Sequence, residues 1–284
     1  VTGPRAAADA RSPTDARAVV AAATRWWRAD RARRVPAVLA ALLVLTQIAY
    51  PLTAGPARDH VTVAVVCLSA AAALTHAAAT RGFGWAAGFL VIVSGLGLTA
   101  EVIGTATGHP FGCYSYAAGR IGPALADVPL VVPLAWTGGL YPIWIVAGML
   151  AARPPARVAL LVAGALGWDL FLDPQMVADG QWTWCDTGSG LPGIPEIPLT
   201  NYLGWALVAT LMGLALTLLE RWRPPGARNT VAVPVALFLW TWLGSALAHA
   251  VFLGLPASAA WGLAGLAPLG VPLLWRRTRA GRHG

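Results

Sequence analysis

The sequence contains no lysine and little charge of any kind. Asp, Glu and Arg together make up 11% of its 284 residues. Soluble domains carry about a quarter charged residues, so a water-soluble globular fold is excluded. Cysteine is scarce too. Cys67, Cys113 and Cys185 are too few for a disulfide framework and lack metal-ligand spacing. There is no zinc signature, phosphate loop or dinucleotide fingerprint. Disorder and collagen-like repeats are excluded by what is abundant, since apolar types reach 57%.

The apolar residues fall in eight runs, at 35–53, 61–79, 85–104, 128–151, 157–173, 201–219, 231–253 and 256–275. About 20 apolar residues cross a bilayer as a helix. The fold class is therefore all-α, a polytopic transmembrane helical bundle of about eight spans. The last run contains Pro268 and Pro272. A bundle tolerates proline when neighbours satisfy the freed carbonyls.

All 20 basic residues are arginine, and their placement tests the topology. With the N-terminus cytoplasmic, eighteen lie in cytoplasmic loops and tails, and only Arg58 and Arg120 lie outside. Such asymmetry is the positive-inside pattern. It predicts eight spans with both termini cytoplasmic, in the cytoplasmic membrane. Residues 1–34, with eight arginines and three aspartates, read as a disordered cytoplasmic tail. Trp26 and Trp27 suit the headgroup level. An arginine-rich start also suits a signal peptide, but no small-x-small cleavage site follows Tyr50. Residues 35–275 form the membrane domain and 276–284 a basic cytoplasmic tail. The net charge of +8 thus reports topology, with the bilayer as partner and no nucleic acid.

Small residues are dense in the spans. Gly84-x-x-x-Gly88 and Gly104-x-x-x-Gly108 have the spacing of close helix packing.

The chemically capable residues gather at the outer edge, in two long loops (105–127 and 174–200) and the adjoining helix ends. Glu101 lies near the outer end of an apolar helix. Asp169 and Asp173, four residues apart, share a helix face, and Pro174 is expected to stop that helix. Ionisable residues within spans are costly and usually functional. Neighbouring carboxylates in an apolar setting repel each other and are poorly solvated. A carboxyl that keeps its proton near neutral pH can act as a general acid. The competing reading is that these acids cap helix ends or hydrogen-bond to Trp and Tyr. Trp182, Trp184, Trp205, Tyr114, Tyr116 and Tyr202 cluster at the same edge. They form either an aromatic belt or an aromatic-walled pocket whose π-faces stabilise a cation. His109 is a weak candidate base, while His76 and His249 read as packing residues. Cys113 and Cys185 share the outer loops and are able to pair in an oxidising compartment, although free thiols are the favoured reading. Cys67 reads as a small buried hydrophobe.

Several motifs carry a resemblance. They are Glu101 with Gly104; Pro110-Phe111-Gly112-x-Tyr114-x-Tyr116; Asp169-x-x-x-Asp173-Pro174; Gly180-x-Trp182-x-Trp184; and Asn201-x-x-Gly204-Trp205. Their order and spacing over roughly residues 40–255 resemble the carotenoid biosynthesis membrane family. That family includes CruF-type carotenoid 1,2-hydratases and bisanhydrobacterioruberin hydratases. The resemblance implies a hydro-lyase reaction on an isoprenoid polyene, with water added across the terminal double bond of an acyclic carotenoid end and no cofactor. Asp169 or Glu101 would be the acid, with Asp173 or Asn201 holding the water. Phe111, Tyr114, Tyr116, Trp168, Trp182, Trp184 and Trp205 would line the substrate site. Partners would be the carotenoid, water and other carotenoid-biosynthesis enzymes. The alternatives are a different end-group modification, or a non-catalytic lipid or pigment carrier or scaffold. A carrier would place polar groups near the midplane, with broken helices.

Overall fold

The computed structural model describes residues 34–187, 189–222 and 230–280. The reading of the N-terminal tail, Trp26 and Trp27 included, lies outside these residues but for Arg34. Among the described residues, eight helices are long and apolar enough to cross a membrane: α1 Arg34–Leu52, α2 Gly55–Arg81, α3 Phe83–Thr107, α4 Val131–Leu150, α5 Pro154–Ala178, α6 Leu199–Trp222, α7 Ala232–Phe252 and α8 Pro256–Arg276, the last continuing to Ala280. They match the eight apolar runs within a few residues and make a multi-pass, all-α membrane bundle.

The helices sort by burial. In α4, 72% of the most apolar window is buried, against 17% in α1, so α4 is the hub and α1 the periphery. On α6, Tyr202, Trp205, Ala209, Met212 and Leu216 face the bundle, while Leu203, Leu207, Leu211, Leu214 and Leu218 are exposed at three- to four-residue spacing. Such an apolar outer stripe would be an aggregation liability in water and is ordinary against lipid. α5 and α8 approach so closely that a Cβ on Gly167 would fall 2.5 Å from the Gly265 carbonyl carbon.

The arginines mark one end. Arg81 Nη1 and Arg157 Nη1 reach Glu220 Oε1 and Oε2 at 2.5 and 2.8 Å. Trp144 Nε1 donates to Glu220 Oε1 at 2.9 Å. Arg81 covers Trp85 and Arg157 covers Trp144. One carboxylate thus ties together α2, α4, α5 and α6.

Among the described residues, the other end carries six short strands in three antiparallel pairs: β1 Tyr114–Tyr116 with β4 Trp182–Trp184, β2 Ala124–Leu125 with β3 Val128–Pro129, and β5 Gly190–Leu191 with β6 Ile194–Pro198. Here Arg120 grips Asp59 and the Asp179 carbonyl, Gln181 Nε2 donates to Asp59, and Arg58 and Tyr50 reach the Asp179 carboxylate. The two arginines of this end are therefore paired with acids, locking both long loops onto α2.

Two expectations are corrected. Pro174 does not stop α5, which runs on to Ala178. Proline lacks the N–H that would bond the Leu170 carbonyl; Ser258 Oγ of α8 donates to that carbonyl instead, at 2.7 Å. Asp173-Pro174 therefore sits inside a helix, where it is buried. Cys67 is not buried in the bundle but exposed on its outer surface. The packing histidines do fit their reading. His76 bonds Tyr141 Oη and the Thr230 carbonyl. His249 bonds Ser258 Oγ and the Gln175 amide, and so helps hold the serine that rescues Leu170.

Candidate active site

The site lies at the strand-bearing end, between α3, α4, α5 and α6 and under the β1–β4 ribbon. Glu101, one turn and a half before the end of α3, is 4% exposed. Asp169 and Asp173, one turn apart on the inner face of α5, are 1% and 4% exposed. Asn201, in the first turn of α6, is 1% exposed. These four polar side chains share one small cavity.

Their hydrogen bonds form two groups. Asn201 Nδ2 donates to Asp173 Oδ2 at 2.5 Å and to Asp169 Oδ2 at 3.2 Å, so one amide bridges both carboxylates. Asp169 Oδ1 is buried with no protein partner. Across the cavity, Tyr114 Oη donates to Glu101 Oε2 at 2.5 Å. Burial raises the pKa of Tyr114, and the nearby negative charge of Glu101 raises it further. The same two causes hold Tyr116 well above the ordinary phenol range. Both phenols remain donors at any physiological pH.

The loops build the walls. Strand alternation sends successive side chains to opposite faces. Tyr114 pairs with Trp184 and Tyr116 with Trp182, and all four line the cavity, while Ser115 and Thr183 face out. At one end of the ribbon, Cys113 and Cys185 form a disulfide, with their Cα atoms 5.3 Å apart. The pairing that the sequence left open is thus made. Phe111, Trp205 and Trp136 stack in series, with centroids 4.6 and 3.9 Å apart. Glycine makes the room: a Cβ on Gly104 would lie 2.7 Å from both the Phe111 ring and Tyr114 Oη. A Cβ on Gly204 would lie 2.6 Å from the same ring. Gly104 therefore serves the loop above it rather than a partner helix.

The aromatic residues at this edge are not a belt, since Tyr114, Trp182, Trp184, Tyr202 and Trp205 are all buried; all of these but Tyr202 line the cavity. Of the expected substrate-site residues, Phe111, Tyr114, Tyr116, Trp182, Trp184 and Trp205 line the carboxylate cavity. Trp168 does not. It packs edge-on against Trp136 at 5.0 Å and lines a neighbouring, larger cleft. His109 is exposed and bonds its own loop at Thr107, away from the site. Sequence reasoning missed Trp136, which joins both spaces; it lies within the fourth span, and no loop motif signals it.

The cavity has a volume of about 20 Å³, room for about one water. The cleft beside it measures about 190 Å³ and shares Val132, Trp136, Leu172 and Trp182 with it. Chemically, this arrangement can deliver a proton from a buried carboxyl, hold a water between carboxylates, and face a developing cation with aromatic rings.

Fold and site together define a multi-pass helical membrane protein with a buried acid centre at one end. Residues 61–268 match the family model described as carotenoid biosynthesis protein. The chain belongs to that family, the one its motifs resemble. Over 112 residues it is 31% identical to bisanhydrobacterioruberin hydratase of Haloarcula japonica, covering 38% of this chain. The match spans 36% of that relative's own length. No solved structure matches.

Proposed function

We propose that this protein hydrates the terminal carbon–carbon double bond of an acyclic carotenoid end group. The observation that carries the reading is the joint burial of Asp169, Asp173 and Asn201 opposite Glu101 inside an aromatic cage. Membership of the carotenoid biosynthesis family and the partial likeness to a hydratase support the substrate and the reaction.

The steps follow from the chemistry of a trisubstituted alkene. Asp169, whose Oδ1 has no protein partner, gives its proton to the less substituted carbon. The π electrons make the new C–H bond and leave a tertiary cation on the other carbon. The faces of Trp205, Trp184 and Trp136 and the negative charge of Glu101 stabilise that cation. A water held near Asp173 attacks it through oxygen and passes a proton to the Asp173 carboxylate. Asn201, bonded to both acids, orients the pair. Return of the proton from Asp173 to Asp169 resets the site. Tyr114 holds Glu101 in place as a permanent donor.

The arginine-poor end carries both the site and the disulfide. Positive-inside asymmetry supports an outer position for this end in the cytoplasmic membrane, where disulfides form and water is at hand.

The test is expression in cells that accumulate an acyclic carotenoid. The expected result is pigment heavier by one water per reacted end. Pigment of unchanged mass, with the protein present in the membrane, would sink the proposal.

A further inference from the structure

The larger cleft, enclosed by α1, α2, α4, α5 and α7, takes no part in the steps above. No Asp, Glu or Arg lines it. Several of its polar groups are satisfied within the protein: Trp240 Nε1 donates to Gln47 Oε1 at 2.8 Å, Thr62 Oγ1 donates to the Arg58 carbonyl at 2.9 Å, and His249 bonds Gln175 of the same wall and Ser258 of α8. Such a wall suits an uncharged, apolar ligand. Trp136 and Trp182 stand between this cleft and the carboxylates and belong to both spaces. A chain lying in the cleft would present its end to the acids.

Size then limits what fits. A dry apolar cavity of about 150 Å³ takes one benzene. At about 190 Å³, the cleft takes about one or two isoprene units and never a whole polyene. The remainder has to lie outside. The peripheral helix α1, the least buried of the eight, borders the cleft through Leu43, Gln47 and Tyr50 and separates it from lipid. The half-buried pair Gln47 and Trp240 joins α1 to α7 there.

We propose that this cleft holds only the isoprene units next to the reacting double bond, while the rest of the polyene stays in the bilayer. The enzyme thus reads the end that it hydrates and is indifferent to the far end. This inference rests on the hydratase reading.

The test uses the full chain in proteoliposomes with two purified polyenes, one with two acyclic ends and one with a single acyclic end and a cyclised far end. Products are resolved by mass and rates are taken per acyclic end. The expected rates agree within about threefold, and the first substrate gains water twice, once per end. A slowing of about tenfold or more with the cyclised far end would overturn the proposal, because a site gripping the whole molecule would lose binding at the changed end. This comparison needs no variant. Ala135→Phe on α4 and Ser245→Phe on α7 fill the cleft from opposite sides and are expected to slow hydration about 10²-fold by displacing the end group. Leu207→Phe, on the lipid face of α6, adds the same bulk elsewhere and retains the rate. Full activity in both cleft variants would also overturn the proposal. If the wild-type chain hydrates neither polyene, the hydratase reading itself has failed, and that outcome is distinct from the others.

Discussion

Replacing Asp169 by asparagine removes a transferable proton while leaving the shape of the site almost unchanged. Asp169 is 1% exposed. Its Oδ2 accepts a 3.2 Å hydrogen bond from Asn201, and an amide oxygen can take the same bond. Its Oδ1 has no partner in the protein, so no internal hydrogen bond is lost there. The protein should therefore accumulate in the membrane at its normal level. Catalysis should not survive. General acid help is worth about 10²–10⁴-fold, or about 2.7–5.4 kcal/mol at 1.36 kcal/mol per tenfold. Asp173→Asn on the same background should add little, because residues that act as a unit are not additive. The assay is the initial rate of hydrated product in proteoliposomes, normalised to protein in the membrane. A rate within about threefold of wild type, at normal protein level, would refute Asp169 as the acid.

Three further outcomes follow from other parts of the molecule. Denatured without reductant, the chain should take a maleimide on Cys67 alone; after reduction it should also label Cys113 and Cys185, as read by intact mass. Label on all three before reduction would refute the disulfide. Tyr114 and Tyr116 are held above the ordinary phenol pKa of about 10 by burial and Glu101. Unfolded chains release those protons first, so this stability is fully present below pH about 10 and is lost as pH rises beyond it. Intrinsic tryptophan fluorescence in detergent should report loosening only on the alkaline side, and Tyr114→Phe should flatten that slope. Glu220→Gln leaves Arg81 and Arg157, both largely buried, without their shared counter-charge. It should cost about 3 kcal/mol, lowering the melting temperature in detergent while leaving the hydration rate at low temperature unchanged. A loss of rate without a loss of stability would contradict a purely structural role for that cluster.

Much of the site was legible in the sequence for a simple reason: charge within apolar helices is rare, so Glu101, Asp169 and Asp173 stand out, and Asn201 follows in the next helix. Trp136 was not legible. It is one tryptophan in an apolar span, and nothing local distinguishes a ring that faces a cavity from one that faces lipid. Trp168 was legible beside the Asp169 motif but is placed on the cleft side of Trp136 rather than with the carboxylates.

The sequence by itself determined the number and approximate positions of the helices, because a bilayer demands about 20 apolar residues per crossing and penalises charge within them. It also determined which loops gather arginine and which gather acids. Only the tertiary structure decided which way each helix faces. In a membrane both the lipid and the bundle interior are apolar, so hydropathy does not separate them, and Cys67 is exposed where burial was expected. Tertiary structure also decided the course of α5. Pro174 removes a hydrogen bond locally, but Ser258, 88 residues from Leu170 in the chain, supplies another. The helix therefore continues, and Asp173 enters the site. The pairing of β1 with β4, which joins two loops and closes the cage, depends likewise on contacts between distant segments.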